Sequence, residues 1–189
     1  MKTDYKASLR LLVSRKPRLV IRKSNNKIYL QLIKYNQEGD QVLFGIDSNK
    51  LRDYGWRYKL NNLPACYLSG LLFGLELKKQ KLIDVVLDFG LSVSVYGSSL
   101  YSTLKGVIDS GLNINHDSKI LPSEDRIKGK HILNYSVELK KQPEKHKKQF
   151  SSYLKNNNNP DDIVKNFDEV KQKILSKNGW SRISKIRRN

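Results

Sequence analysis

At 189 residues the chain can bury one substantial core, and its length gives no reason to expect two large domains. Lysine and arginine number 36 against 18 acidic residues, a formal charge of +18 that exceeds what solubility needs and points to a polyanionic partner. The lone cysteine, Cys66, excludes an intramolecular disulfide framework and a multi-cysteine zinc site, and fits a reducing, cytoplasmic compartment.

The segment MKTDYKASLRLL has no apolar run of signal-peptide length, and no stretch approaches the roughly eighteen apolar residues of a membrane span, so no membrane partner is expected. Charge is unevenly placed. Residues 1–35 hold ten Lys/Arg against the single acid Asp4, and 171–189 hold seven against none. Residues 81–112 carry only Lys81 and Lys105 against Asp84, Asp88 and Asp109. The middle reads as a neutral core with basic ends.

Residues 2–16 mix bases with Leu9, Leu11, Leu12 and Val13, and suit a short helix or an ordered arm. PRLVIRKSNNKIYLQLI reads as a hairpin looped at Asn25-Asn26, because Asn tolerates the positive φ of the primed turns. That loop sets the register: Arg22 faces Tyr29, Ile21 faces Leu30, Leu19 faces Leu32 and Arg18 faces Ile33. Alternation then puts Leu19, Ile21, Leu30 and Leu32 on one apolar face and Arg18, Arg22, Tyr29 and Gln31 on the other. QVLFGIDS (41–48) adds a third strand and completes an antiparallel meander. A polar, aromatic loop, KLRDYGWRYKLNN, follows.

NLPACYLSGLLFGLELKKQK is a helix, capped by Asn61 or Asn62, with Pro64 in its first turn and lysines at its end. Gly70 and Gly74, one turn apart, mark a face that packs closely. LIDVVLDFG (82–90) is a near-continuous apolar run of strand length, which suits parallel pairing through a right-handed crossover. SSLYSTLKGVIDSG (98–111) forms a second amphipathic helix stopped by Gly111. From about residue 118 the composition turns polar: a basic stretch, the low-complexity break NNNNP (156–160), a helix over 161–175 and the basic tail KNGWSRISKIRRN.

A metal-dependent nuclease would place Asp47, Asp88 and Asp109 together at the ends of such elements. Caps and loop tethers explain them better, and His116, His131 and His146 show no ligand spacing, so neither metal nor cofactor is expected. RNA or DNA binding asks for what the flanks supply: bases for phosphates, aromatics for unstacked bases, amides for edges. Arg18, Arg22, Tyr29 and Gln31 meet that need on one sheet face. Lys50, Arg52, Tyr54, Trp56, Arg57, Tyr58 and Lys59 meet it in a single loop.

Several motifs in order, DYKASLRLLVSRKPRLVIRKSNNKIYLQLI, YGW, NLPACYLSGLLFG, VLDFGL, GSSLYSTLKGVIDSGLNINH and RIKGKHI, resemble the ribosomal large-subunit protein eighteen family in its archaeal form, whose eukaryotic counterpart is large-subunit protein five. The resemblance covers roughly residues 3–135. It departs from the family in having almost no basic extension ahead of Thr3 and in Asn115, where a Pro usually precedes the histidine matching His116. The C-terminal third matches poorly.

The resemblance implies a non-catalytic protein that binds 5S rRNA in the central protuberance, with large-subunit rRNA and neighbouring ribosomal proteins as further partners. It also implies RNA contacts from Arg10, Arg15, Lys16 and Arg18, and from Lys23, Asn25, Asn26 and Lys27 of the hairpin. Further implied contacts come from the loop running from Trp56 to Asn61 and Asn62, and from Arg126, Lys128, Lys130 and His131. The expected architecture is α/β: a mixed sheet with packed helices and a basic arm over 1–117, then a partly helical basic extension over 118–189. A general RNA chaperone is the other non-enzymatic alternative.

Overall fold

The structure, a computed structural model, describes residues 5–82 and 84–176. The basic tail KNGWSRISKIRRN lies outside the described residues. Strands β1 (Arg18–Lys23), β2 (Ile28–Lys34) and β3 (Gln41–Asp47) form the meander. The fourth strand, β4 (Val86–Asp88), pairs parallel to β1, so the sheet runs β3-β2-β1-β4. Among the described residues of the apolar run 82–90 only Val86–Asp88 join the ladder, and the chain turns away at Gly90, whose φ is +59°.

The hairpin has the register that loop length and alternation dictate, from Arg18 opposite Ile33 to Arg22 opposite Tyr29. Its turn differs. Neither Asn25 nor Asn26 takes a positive φ; outside glycine, among the described residues, only Arg15, Lys81 and Asn157 do. Ser24 holds the loop instead: its hydroxyl accepts the Lys27 N–H at 3.1 Å and reaches the Lys27 carbonyl at 3.0 Å. A local side-chain bond thus replaces the left-handed backbone that a primed turn would need.

Leu19, Ile21, Leu30 and Leu32 are wholly buried. The face they share packs on helices: β2 and β3 meet α2 (Leu63–Lys79), where Phe73 lies against Phe44 of β3 with ring centroids 5.3 Å apart. Asn62 caps α2 by accepting the Ala65 N–H at 3.0 Å. The helix α3 (Ser99–Asp109) crosses α2 at glycines on both sides. A Cβ at Gly70 would sit 2.0 Å from the Thr103 carbonyl oxygen, and one at Gly106 would sit 2.1 Å from that of Tyr67. Gly70→Ala should therefore force the helices apart and cost at least about 1–3 kcal/mol, read as a lower urea midpoint. An unchanged midpoint would mean that the crossing yields without strain.

The arm forms α1 (Tyr5–Val13). Beyond α3 the chain makes α4 (Glu124–Lys128), α5 (Lys130–Leu139), α6 (Pro143–Gln149), α7 (Ser151–Lys155) and α8 (Ile163–Leu175). Ile163, Phe167, Val170 and Ile174 recur at helical spacing on α8, and all four are buried in the same cluster as the sheet's inner face. Phe167 lies 5.7 Å from the Tyr67 ring on α2.

Candidate nucleic-acid interface

The hairpin presents a strip with cations at both ends. Where it leaves the arm, Arg15 and Lys16 meet Lys34 and Tyr35 around a recess of about 230 Å³. Lys16 also reaches Asp84 at 2.8 Å. Arg10, on α1, is exposed. At the other end Lys23, Asn25 and Asn26 are exposed, and the Asn61 amide donates to the Asn25 carbonyl. That bond brings the loop before α2 and the hairpin tip onto one surface. Lys27 is held by Asp47 at 3.1 Å and lies 5.8 Å from the centre of the exposed Tyr29 ring. Gln31 is half-buried beside it. Six residues of β1 separate the two ends, about 20 Å at the ordinary rise per residue.

The arginines of the outer face behave differently from one another. Arg18 is only 9% exposed, bound to Asp88 at 3.3 Å and to Asp40. Arg22 is half-buried and donates to the Asp88 carbonyl at 2.9 Å and to its carboxylate at 3.3 Å. The Gly90 N–H completes the site, 2.7 Å from the same carboxylate. Asp88 is itself buried, and a buried charge persists only when paired, which here draws Arg18 inward. Arg22 keeps an open side.

In the aromatic loop the charged residues face out and the rings do not. Arg52, Arg57 and Lys59 are exposed, whereas Tyr54, Trp56 and Tyr58 are buried. Trp56 donates to the Lys59 carbonyl at 3.1 Å and meets Tyr58 edge-on at 5.5 Å. The asparagine run clasps this loop from outside. Asn158 donates to the Arg57 carbonyl at 3.0 Å, and Tyr58 to that of Asn159 at 2.6 Å. Asn166 of α8 bonds Gly55 and Arg57 at 3.1 and 3.3 Å. The low-complexity break is thus structural.

Arg126 and Lys130 are exposed and Lys128 is half-buried, at the junction of α4 and α5. Lys130 pairs with Asp125 at 2.6 Å and holds its carboxyl below the usual range. His131 is half-buried, and burial together with the Arg126 charge lowers its pKa. Lys34, Tyr35 and the lysines of α6 have no turn or register signal in the sequence that would have singled them out.

The three aspartates of the nuclease alternative serve separate tasks. Asp47 caps a short 3-10 turn and binds Lys27, Asp88 binds the two arginines, and Asp109 accepts from Tyr67 and Lys105, each at 2.8 Å. Among the described residues no three or more His, Cys, Asp or Glu come together as metal ligands would. Burial pushes the Cys66 thiol up to about 12, so it stays protonated inside α2.

Residues 1–85 match a family described as ribosomal large subunit proteins 60S L5 and 50S L18. The chain is 43% identical, over 175 residues, to the large ribosomal subunit protein uL18 of Methanococcus maripaludis, an alignment spanning 93% of this chain and 91% of that relative. The chain belongs to this family. It is therefore a structural protein of the large ribosomal subunit, with rRNA and other ribosomal proteins as partners, and not an enzyme. The alignment with that relative also runs past residue 135, where the sequence-based resemblance ended.

Proposed function

We propose that this protein binds 5S rRNA and anchors it in the central protuberance of the large subunit. The observation that carries the reading is the hairpin strip, with Arg15, Lys16 and Lys34 at one end and Lys23, Asn25, Asn26 and Asn61 at the other. Cations about 20 Å apart along a rigid sheet suit phosphates several nucleotides apart on a structured RNA, while the amides and Tyr29 suit sugar and base edges between them. Arg10, Arg22, Lys27, Gln31, Arg52, Arg57, Arg126, Lys128, Lys130 and His131 extend the surface. Arg18, Tyr54, Trp56 and Asn62 support it from behind. Residues 1–117 carry the RNA-binding core and 118–189 the basic extension, whose described helices pack against that core.

The double substitution Arg15→Ala and Lys23→Ala tests this reading, because both side chains are exposed and their removal should change stability by less than about 0.5 kcal/mol. Affinity for 5S rRNA should fall, and the salt dependence of log K should flatten by roughly 0.7 to 0.9 for each phosphate that is no longer neutralised. An unaltered slope with full affinity would take the hairpin off the RNA. Equal binding of the wild type to unrelated RNAs would favour a general chaperone instead.

A further inference from the structure

A second feature lies on the C-terminal helices. Lys59, His131, Tyr135, Gln149, Phe150 and Tyr153 line a recess of about 280 Å³ between α5 and the α6–α7 junction. Its wall is a row of rings. Tyr135 lies 6.2 Å from Phe150, which lies 5.9 Å from Tyr153 in a stacked pair, and Tyr153 meets Tyr58 edge-on at 5.3 Å. Phe150, Tyr153 and Tyr58 are buried, so the row is anchored in the core, while Tyr135 is 46% exposed at its outer end.

We propose that this recess receives one unstacked rRNA base, laid against Tyr135 and read at its edge by Gln149 and His131. Three observations carry it. The recess combines an aromatic wall with a few polar groups, which is the composition that holds splayed-out bases. His131 lines the recess, and its ring Nδ1 makes no hydrogen bond within the protein. The surroundings are cationic: residues 140–155 carry six lysines against Glu144 alone, and Lys59 stands on the rim. That charge suits the phosphates flanking a flipped base and disfavours a basic protein segment. The lowered pKa of His131 keeps the imidazole neutral, able to donate at one nitrogen and accept at the other.

The inference rests on the chain's role as an rRNA-binding protein, and either 5S or large-subunit rRNA can supply the base. A density map of the native large subunit decides the occupant. A base against Tyr135 is expected, and tracing its strand tells the two rRNAs apart. A protein side chain in the recess, or an empty recess, would overturn the inference even with 5S rRNA seated on the hairpin; 5S rRNA absent from the chain altogether would instead overturn the 5S reading.

The full-length Tyr135→Ala protein should bind the same rRNA roughly 5- to 150-fold more weakly, the value of one stacked base, with an unchanged salt slope because every phosphate keeps its cation. Tyr135→Phe should bind like the wild type, since stacking needs the ring and not the hydroxyl. Equal weakening in both variants, or in neither, would count against a stacked base.

Discussion

Replacing Asp88 with alanine should lower the unfolding free energy by about 3–5 kcal/mol, the cost of leaving a buried cation without its counter-charge. Arg18 would keep only Asp40, whose side chain is 46% exposed and so offers a solvated, weaker pairing. The Arg18 Nε is already buried without a partner, which leaves no spare hydrogen bond to offset the loss. Asp88→Asn should recover part of the deficit, because the amide oxygen still accepts from Gly90 and one arginine while the charge is gone. Urea melts of the three proteins make the comparison. A loss below about 1 kcal/mol for the alanine variant would show the arginines to be solvated as exposed pairs are.

The same network explains why the sequence was only partly legible. Loop length and alternation fixed every pairing of the hairpin, and the helix N-cap, Pro64 and the glycine face of α2 were readable from spacing alone. Alternation also put Arg18 on the outer face, where the residue does lie. What covers it is Asp88, 70 positions downstream, brought there by the parallel pairing of β4 with β1, and no local pattern encodes that distance.

Trp56 failed to declare itself for the same reason. An aromatic in a polar loop reads identically whether it awaits a base or plugs a core, and its partners Tyr153 and Asn166, through Tyr58 and the loop backbone, come from the far end of the chain. The asparagine run looked like a break because its hydrogen bonds go to residues about 100 positions away.

The change with a comparable cost is Phe167→Ala on α8. Phe167 is 1% exposed, seated on Tyr67 of α2 and flanked by Ile163, Val170 and Ile174 in the shared cluster. Truncating a phenylalanine in such a place removes its buried area and leaves a cavity, together costing about 3–5 kcal/mol. The form of the transition is as informative as its midpoint. If the C-terminal helices and the sheet make one cooperative unit, unfolding stays a single step with an unchanged dependence on denaturant, merely displaced to lower urea. If residues 118–189 were an independent extension, the melt would split into two transitions, and the sheet would unfold at its original midpoint. The clasp on the aromatic loop argues for the single step, because Asn158, Asn159 and Asn166 hold the backbone around Trp56 directly, and loosening α8 releases that loop with it. The exposed Arg52 and Arg57 ride on the same loop, so the variant should also bind rRNA more weakly, although Phe167 itself is out of reach of any RNA.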